Sequence, residues 1–178
     1  DLSNITNSAE SKNKEFFLFV KERNDATGFT NDQLLKISKD SFTIDTLYDH
    51  NTAETKIPGF GGSITSVYEA NDGAFWLTSY GEGITRLDIE TMEITHYGKK
   101  EGLPNSYIYC IYEDASSNMW MSSNYGILKF NPKTETFRQF GMADGIQNFE
   151  YNQSSNAQMK DGTLFFGGLS GLNYFNPN

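Results

Sequence analysis

The chain has 178 residues, of which 14 are Lys or Arg and 23 are Asp or Glu, so its formal net charge is −9. This balance argues against a nucleic-acid or membrane-surface partner, because phosphate binding requires clustered basic side chains. The longest apolar run, from Phe16 to Val20, is too short to span a bilayer. A single cysteine, Cys110, excludes an internal disulfide, and its apolar surroundings predict a small buried side chain.

Residues 1–63 form a degenerate copy of a pattern that is clearer further along the chain. The predicted strands run from Ile5 to Ala9, Phe16 to Val20, Leu34 to Ile37 and Thr43 to Tyr48. Between the second and third of them, the polar stretch from Lys21 to Gln33 is predicted to be an enlarged loop.

Residues 64–106 carry the clearest set of short strands separated by tight turns. The predicted strands run from Ile64 to Tyr68, Phe75 to Thr78, Ile84 to Leu87 and Glu93 to Tyr97. Gly83 is predicted to fill a turn position with positive φ, where a side chain would be strained.

Residues 107–148 repeat this order, and residues 149–178 repeat it incompletely. The predicted strands of the third copy run from Tyr107 to Tyr112, Met119 to Ser122, Ile127 to Phe130 and Thr136 to Phe140. The last copy lacks an obvious fourth strand, so the whole chain should contain about fifteen strands. Helical periodicity of useful length is absent.

An aromatic side chain recurs at a fixed interval through the last three copies. Trp120 follows Trp76 by 44 positions, and Phe165 follows Trp120 by 45. Short strands repeated at this period are typical of β-propeller blades, each a four-stranded antiparallel sheet. The chain is therefore predicted to be all-β, with about four blade-equivalents. We interpret it as part of a larger propeller; the alternative is an unusual four-bladed ring.

The repeated residues resemble the two-component regulator propeller repeat. The pattern lies in residues 72–78, 83–88 and 101–105, and residues 162–168 and 171–177 are similar to that family's final blade. The resemblance covers residues 64–178, and residues 1–63 only by extrapolation. The departures are Phe165, and Phe17 upstream, in place of Trp, and residues 116–118 in place of the Asp-Gly turn.

The resemblance implies the periplasmic sensor region of a Bacteroides-type hybrid two-component sensor histidine kinase. Receptors of that family detect glycan breakdown products through seven-bladed propellers and pair as homodimers. On this basis, the chain is expected to be a non-catalytic sensing segment, with an oligosaccharide as ligand and self-association through the parent receptor. The kinase, receiver and DNA-binding parts that the family implies are not in this sequence.

One group of residues is predicted to bind the ligand, and a second group is predicted to stabilise the fold. In a propeller, the turns between second and third strands and the crossings between blades emerge on one face. Amide, carboxylate and tyrosine groups there suit a neutral or cationic sugar better than a sulfated or uronic one. The predicted ligand-binding residues are Tyr80, Glu82, Asn105, Asn124, Tyr125, Gln147, Asn148 and Tyr151, accompanied by Glu101, Asp144 and the stretch from Lys21 to Gln33. The predicted structural residues are Trp76, Trp120, Phe165, Gly83, Gly126 and Gly171.

No catalytic residue, metal site or cofactor is predicted. His50 and His96 lack the spaced His or Cys partner that a metal site needs, and no carboxylate pair has a fixed spacing. Two other functions remain open at this point. A propeller glycoside hydrolase or lyase would need two carboxylates roughly 5–9.5 Å apart, and a protein-interaction scaffold would use exposed blade faces and edges for association.

Overall fold

The computed structural model describes residues 5–10, 16–23, 30–38, 40–49, 63–91 and 93–178. Within these ranges, the chain forms fifteen β-strands in four antiparallel sheets, three with four strands and the last with three. In every sheet, strands that follow each other in sequence are hydrogen-bonded neighbours. The only helical segments there are 3-10 turns at Lys99–Glu101 and Met142–Asp144. The all-β class and the propeller-blade architecture are thus confirmed.

The strand bounds follow the repeat closely. The first blade contains β1 (Ile5–Glu10), β2 (Phe16–Arg23), β3 (Thr30–Ile37) and β4 (Ile44–Asp49). The second contains β5 (Ser63–Glu69), β6 (Phe75–Tyr80), β7 (Gly83–Leu87) and β8 (Ile94–Tyr97). The third contains β9 (Ile108–Glu113), β10 (Met119–Ser123), β11 (Gly126–Asn131) and β12 (Thr136–Phe140). The fourth contains β13 (Tyr151–Gln158), β14 (Leu164–Gly168) and β15 (Gly171–Phe175).

The prediction of a loop from Lys21 to Gln33 is wrong at both ends of that stretch, which belong to strands. Pairing between β2 and β3 continues through Lys21 with Asp32 as far as Arg23 with Thr30. These polar residues extend the hairpin because a strand ladder is made by backbone groups, which every residue except proline supplies in full. Residues 24–29, which complete the predicted loop, lie outside the described part.

The first strand of each blade lies next to the first strand of the following blade. β1 contacts β5, β5 contacts β9, and β9 contacts β13. The hydroxyl of Thr65 on β5 donates a hydrogen bond to the backbone oxygen of Ile108 on β9 at 2.6 Å. The four sheets are therefore arranged around a common axis, with first strands innermost and fourth strands outermost.

The recurring aromatic residues occupy the same register position in their sheets. The residue opposite each ring on the third strand is Lys36 for Phe17, Arg86 for Trp76, Lys129 for Trp120 and Tyr174 for Phe165. The interval in the sequence therefore corresponds to one structural position, which confirms the repeat.

The aromatic rings of the first three blades pack against the blade that follows. Trp76 meets Phe130 with ring centroids 5.9 Å apart, and Trp120 meets Phe175 at 5.0 Å. Phe165 differs, because within the described ranges no further sheet lies on its side. It is half-buried and stacks on Tyr174 of its own blade at 5.8 Å.

No helix in the described ranges has both the length and the apolar character needed to cross a membrane.

Candidate functional site

The turns between second and third strands and the crossings between blades meet on one face of the molecule, which we call the loop face. The amides of Gly81 and Gly83 both donate to the backbone oxygen of Ser106, each at 3.1 Å. In the next blade, the amide of Gly126 donates to the backbone oxygen of Phe149 at 2.6 Å. Each turn is thus fastened to the crossing that leaves its own blade, and the predicted loop residues are brought together.

Two predicted carboxylates on this face accept hydrogen bonds from backbone amides three residues earlier in the chain. An oxygen of Glu101 accepts a hydrogen bond from the amide of Gly98 at 2.8 Å, and Asp144 accepts one from Gly141 at 2.9 Å. The hydrogen bond from Gly98 lowers the pKa of the Glu101 carboxyl. Both carboxylates close equivalent 3-10 turns, so their placement is explained by local structure.

Aromatic side chains form two pairs on the loop face, which together we call the aromatic patch: Tyr80 with Tyr107, and Tyr125 with the half-buried Phe149. The first pair meets edge to face at 4.7 Å, and the second is stacked at 4.8 Å. Tyr80 and Tyr125 are each 53% exposed, and Tyr107 is 37% exposed. The amide of Asn124, next to Tyr125, donates to the backbone oxygen of Tyr107, which places the pairs side by side.

The sequence predicted one residue of each pair, Tyr80 and Tyr125, but not Tyr107 or Phe149. Both of the unpredicted residues lie in crossings that contain a predicted Asn. Tyr107 donates its backbone N–H to Asn105, and Phe149 donates its own to Asn148. An aromatic side chain one or two residues after a selected Asn was the available signal.

Two predicted amide side chains in these loops carry buried polar atoms without a hydrogen-bond partner: Oδ1 of Asn124, next to Tyr125, and Nε2 of Gln147, against Gly168. The other end of the Gln147 amide accepts a hydrogen bond from the backbone of Ser170 at 2.8 Å. Asn148 donates to the hydroxyl of Ser170 at 2.9 Å. Buried polar atoms are normally paired, so an ordered water is the partner that these two enclosed atoms would take.

Glu82 borders a polar groove at the outer side of the loop face. The groove has a volume of about 470 Å³, and its lining includes Glu82, His96, Lys99, Lys100, Glu101 and Ser106. Nδ1 of His96 lies 3.0 Å from the hydroxyl of Thr85, which fixes the ring. The groove therefore presents both signs of charge. It adjoins the first pair of the aromatic patch, because Gly81 and Ser106 in its lining neighbour Tyr80 and Tyr107 in the sequence. Among the described residues, no three His, Cys, Asp or Glu side chains converge as a metal site requires.

Tyr151 lies beneath the loop face and is 1% exposed. Its hydroxyl donates to Oδ1 of Asn173 at 2.6 Å, and burial raises its pKa to about 12. Its ring belongs to the core cluster that includes Trp120 and Phe166. Tyr151 therefore packs in the core beneath the loop face and is not part of the exposed aromatic patch.

The predicted structural glycines hold the same turn in three blades. Gly83 has φ +99°, and a β-carbon placed on it would lie 2.5 Å from the backbone oxygen of Tyr97. Gly126 has φ +97° and the same 2.5 Å approach to Phe140. Gly171 has φ +132°, with nothing within 4 Å of an added β-carbon. Close approach by the fourth strand thus excludes side chains at the first two positions.

Residues 102–125 match the family model described as two component regulator propeller. They run from the crossing of the second blade to the turn that ends at Tyr125. The chain contains the two-component regulator propeller repeat.

The chain is similar to a curated protein and to solved domains. It is 36% identical over 89 residues to Histidine kinase P4 of Formosa agariphila, covering 50% of the chain and 6% of that protein. The extracellular domains of hybrid two component systems BT3049 and BT4673 of B. thetaiotaomicron have the same fold. BT3049 gives a TM-score of 0.70 at 21% identity and BT4673 one of 0.72 at 20%. Both matches cover 98% of this chain, and they cover 28% and 23% of those chains.

Proposed function

We propose that this regulator propeller segment belongs to the sensor region of a hybrid two-component receptor outside the cytoplasm, in a periplasmic or extracellular position. The repeat family and the similarity to a histidine kinase and to two extracellular sensor domains support this role. In this proposal, the segment binds a ligand and catalysis belongs to other parts of the receptor. The chain spans 6% of the curated kinase, so the activity of the whole receptor is itself part of this proposal.

The proposed ligand is an oligosaccharide, bound on the loop face. The observation that carries this proposal is the aromatic patch, with the exposed rings of Tyr80 and Tyr125. Aromatic rings offer flat apolar surfaces to the C–H face of a sugar, and amides offer both donors and acceptors to its hydroxyls. The adjoining groove carries Lys99 and Lys100 together with Glu82 and Glu101, so its charges are balanced. The uncharged patch itself favours a neutral sugar over a sulfated or uronic one.

Signalling would follow from a difference in ligand affinity between two arrangements of paired receptor chains. A ligand shifts such a balance only by its differential affinity for the two arrangements. A difference of about 1.4 kcal/mol changes the balance tenfold. This proposal requires self-association of the parent receptor, for which the expected partner is a second copy.

Titration calorimetry with neutral and acidic oligosaccharide panels tests the ligand class. With a neutral oligosaccharide that binds, Tyr80→Ala and Tyr125→Ala should each weaken affinity about tenfold, equivalent to about 1.4 kcal/mol. Tyr174→Ala is the matched control, because that tyrosine is 70% exposed but lies on the sheet of the fourth blade. Equal weakening by all three variants, or no binding to any sugar by the folded parent ectodomain, would contradict the proposal.

A further inference from the structure

The polar groove of about 470 Å³ lies against the crossing that leaves the second blade. Its lining includes Gly81 and Glu82 of the turn before β7, His96 of β8, and Gly98 and Ser106 of the crossing. The third blade repeats this turn and this crossing, so the two blades can be compared position by position.

In the third blade, an aromatic ring fills the equivalent place. Ser106 and Phe149 are equivalent, because the backbone oxygen of each accepts a hydrogen bond from the glycine that begins the third strand of its blade. The ring of Phe149 stacks on Tyr125 at 4.8 Å, and a β-carbon placed on Gly141 would lie 3.5 Å from that ring. Ser106 carries no ring. The groove of the second blade is therefore the space that Phe149 occupies in the third.

Hydrogen-bonding groups surround this space in the second blade. A β-carbon placed on the equivalent glycine, Gly98, would lie 3.2 Å from Nε2 of His96 and 3.4 Å from a carboxylate oxygen of Glu101. Nδ1 of His96 lies against the hydroxyl of Thr85, so Nε2 is the ring nitrogen on the groove side. Polar side chains thus border the groove where the third blade has an apolar contact.

The charges of the groove favour a neutral ligand that is rich in hydroxyl groups. Lys99 and Lys100 are accompanied by Glu82 and Glu101, so an anion would meet two carboxylates and a cation would meet two ammonium groups. A hydroxyl group both donates and accepts hydrogen bonds, so it can use both kinds of side chain at once. A neutral sugar unit is a ligand with this property.

The groove is continuous with the first pair of the aromatic patch. Gly81 and Ser106 in its lining are the sequence neighbours of Tyr80 and Tyr107, whose exposed rings meet at 4.7 Å. An aromatic ring of this kind offers a flat apolar surface to the C–H face of a sugar. A sugar unit that stacks on Tyr80 therefore lies next to the groove, and the following unit of the same chain can enter it.

We infer that the groove is a second subsite of the oligosaccharide site, which holds the sugar unit that follows the one stacked on Tyr80. Ser106 determines whether this unit can enter, because its small side chain leaves open the space that Phe149 fills in the next blade. The inference rests on the proposed function and adds that the neutral ligand is recognised over at least two consecutive units.

Titration calorimetry on the parent ectodomain tests the inference, with cello-, xylo- and mannooligosaccharides from dimer to hexamer as probes. For an oligosaccharide that binds, Ser106→Phe should weaken affinity at least about tenfold, because it places in the groove the ring that the third blade carries there. Thr95→Phe is the matched control. It adds the same ring to an exposed residue of β8 whose side chain points to the opposite face from His96, so it should leave affinity unchanged.

Acetylation of lysines on the unsubstituted ectodomain, followed by mass spectrometry, gives a second readout that does not depend on a variant. At a sugar concentration about ten times Kd, only about a tenth of the protein is free, so acetylation of Lys99 or Lys100 should slow by up to about tenfold. Lys133, exposed in the turn before β12, should react at an unchanged rate.

The outcomes separate this inference from the proposed function on which it rests. If no probe binds the folded ectodomain, the proposed function fails and the inference fails with it. Binding that Ser106→Phe leaves unchanged, or that leaves both Lys99 and Lys100 unprotected, would overturn the inference alone.

Discussion

The buried carboxylate of Asp114 accepts several hydrogen bonds within the third blade, and its removal tests how much these bonds stabilise the fold. It is 3% exposed and accepts hydrogen bonds from Nε1 of Trp120 at 2.9 Å, from the backbone of Ser116 and from both the backbone and side chain of Asn118. Lys129 lies 3.8 Å away. Burial alone would raise the pKa of Asp114, but the hydrogen bonds from Trp120 and Asn118 outweigh it and lower the pKa.

The expected loss of stability follows from the donors that would be left unpaired. Each buried donor without a partner costs about 1–3 kcal/mol. Asp114→Ala abandons several of them, so we expect a decrease of about 3–5 kcal/mol in the free energy of unfolding. Asp114→Asn keeps one acceptor oxygen but turns an NH₂ group towards another donor, and should cost about 1–3 kcal/mol.

Asp72→Ala provides the matched control. Asp72 makes a shorter ion pair, 2.8 Å from Arg86, but its side chain is 56% exposed. Exposed ion pairs contribute about 1 kcal/mol or less, so the shorter pair should matter less than the buried carboxylate. Urea denaturation at neutral pH, followed by tryptophan fluorescence, measures the three variants against the unsubstituted chain.

The pH dependence gives an independent check. Because the folded-state pKa of Asp114 is lowered, its contribution to stability is complete above the ordinary pKa of about 3.9 and is lost as the pH falls through the folded-state value. The stability difference between the unsubstituted chain and Asp114→Asn should therefore shrink in acid. The reasoning would be refuted by a difference that stays constant into that range, or by Asp114→Ala costing no more than Asp72→Ala.

Three further predictions use the same denaturation measurements or a simple labelling assay. Gly126→Ala should lower the free energy of unfolding by about 1–3 kcal/mol more than Gly171→Ala. Both substitutions strain a positive φ, but only the β-carbon at position 126 meets a carbonyl oxygen at 2.5 Å, so equal losses would contradict the structure. Burial raises the pKa of the Cys110 thiol to about 11, so a disulfide reagent should label it only after unfolding, and rapid labelling of the native chain would count against the structure. Trp120→Ala should cost about 3–5 kcal/mol and the half-buried Phe165→Ala at most about 2, and the reverse order would exclude the proposed packing.

The fold was largely predictable because the sequence repeats one sheet. The interval from Trp76 to Trp120 and Phe165 corresponds to one register position, so aligning the copies also aligns their strands. Composition misled the prediction in the first blade. The stretch from Lys21 to Gln33 is polar enough for a loop, yet much of it is paired, because a ladder of backbone hydrogen bonds does not depend on apolar side chains.

The candidate site was only partly predictable, because contacts between loops depend on long-range packing. Sequence periodicity placed Tyr80 and Tyr125 on the loop face, but their ring partners lie 27 and 24 residues away, at Tyr107 and Phe149. The burial of Tyr151 could have been anticipated. It occupies the repeat position of a fully buried isoleucine at the start of the preceding blade's first strand, so alternation directs it inward.

The loop face separates residues that hold the turn from residues that are free to vary. The hydroxyls of Ser79 and Ser123 are fully buried and donate to the backbone oxygens of Gly83 and Gly126. The side chains that follow these serines, Tyr80 and Asn124, are not held in this way, and the corresponding residue of the fourth blade is Leu169, which follows Gly168. The three positions carry an aromatic ring, an amide and an aliphatic chain. Because the serine–glycine contact fixes the turn, substitutions between them change the chemistry of the loop face with little effect on folding, which is the property that a recognition surface requires.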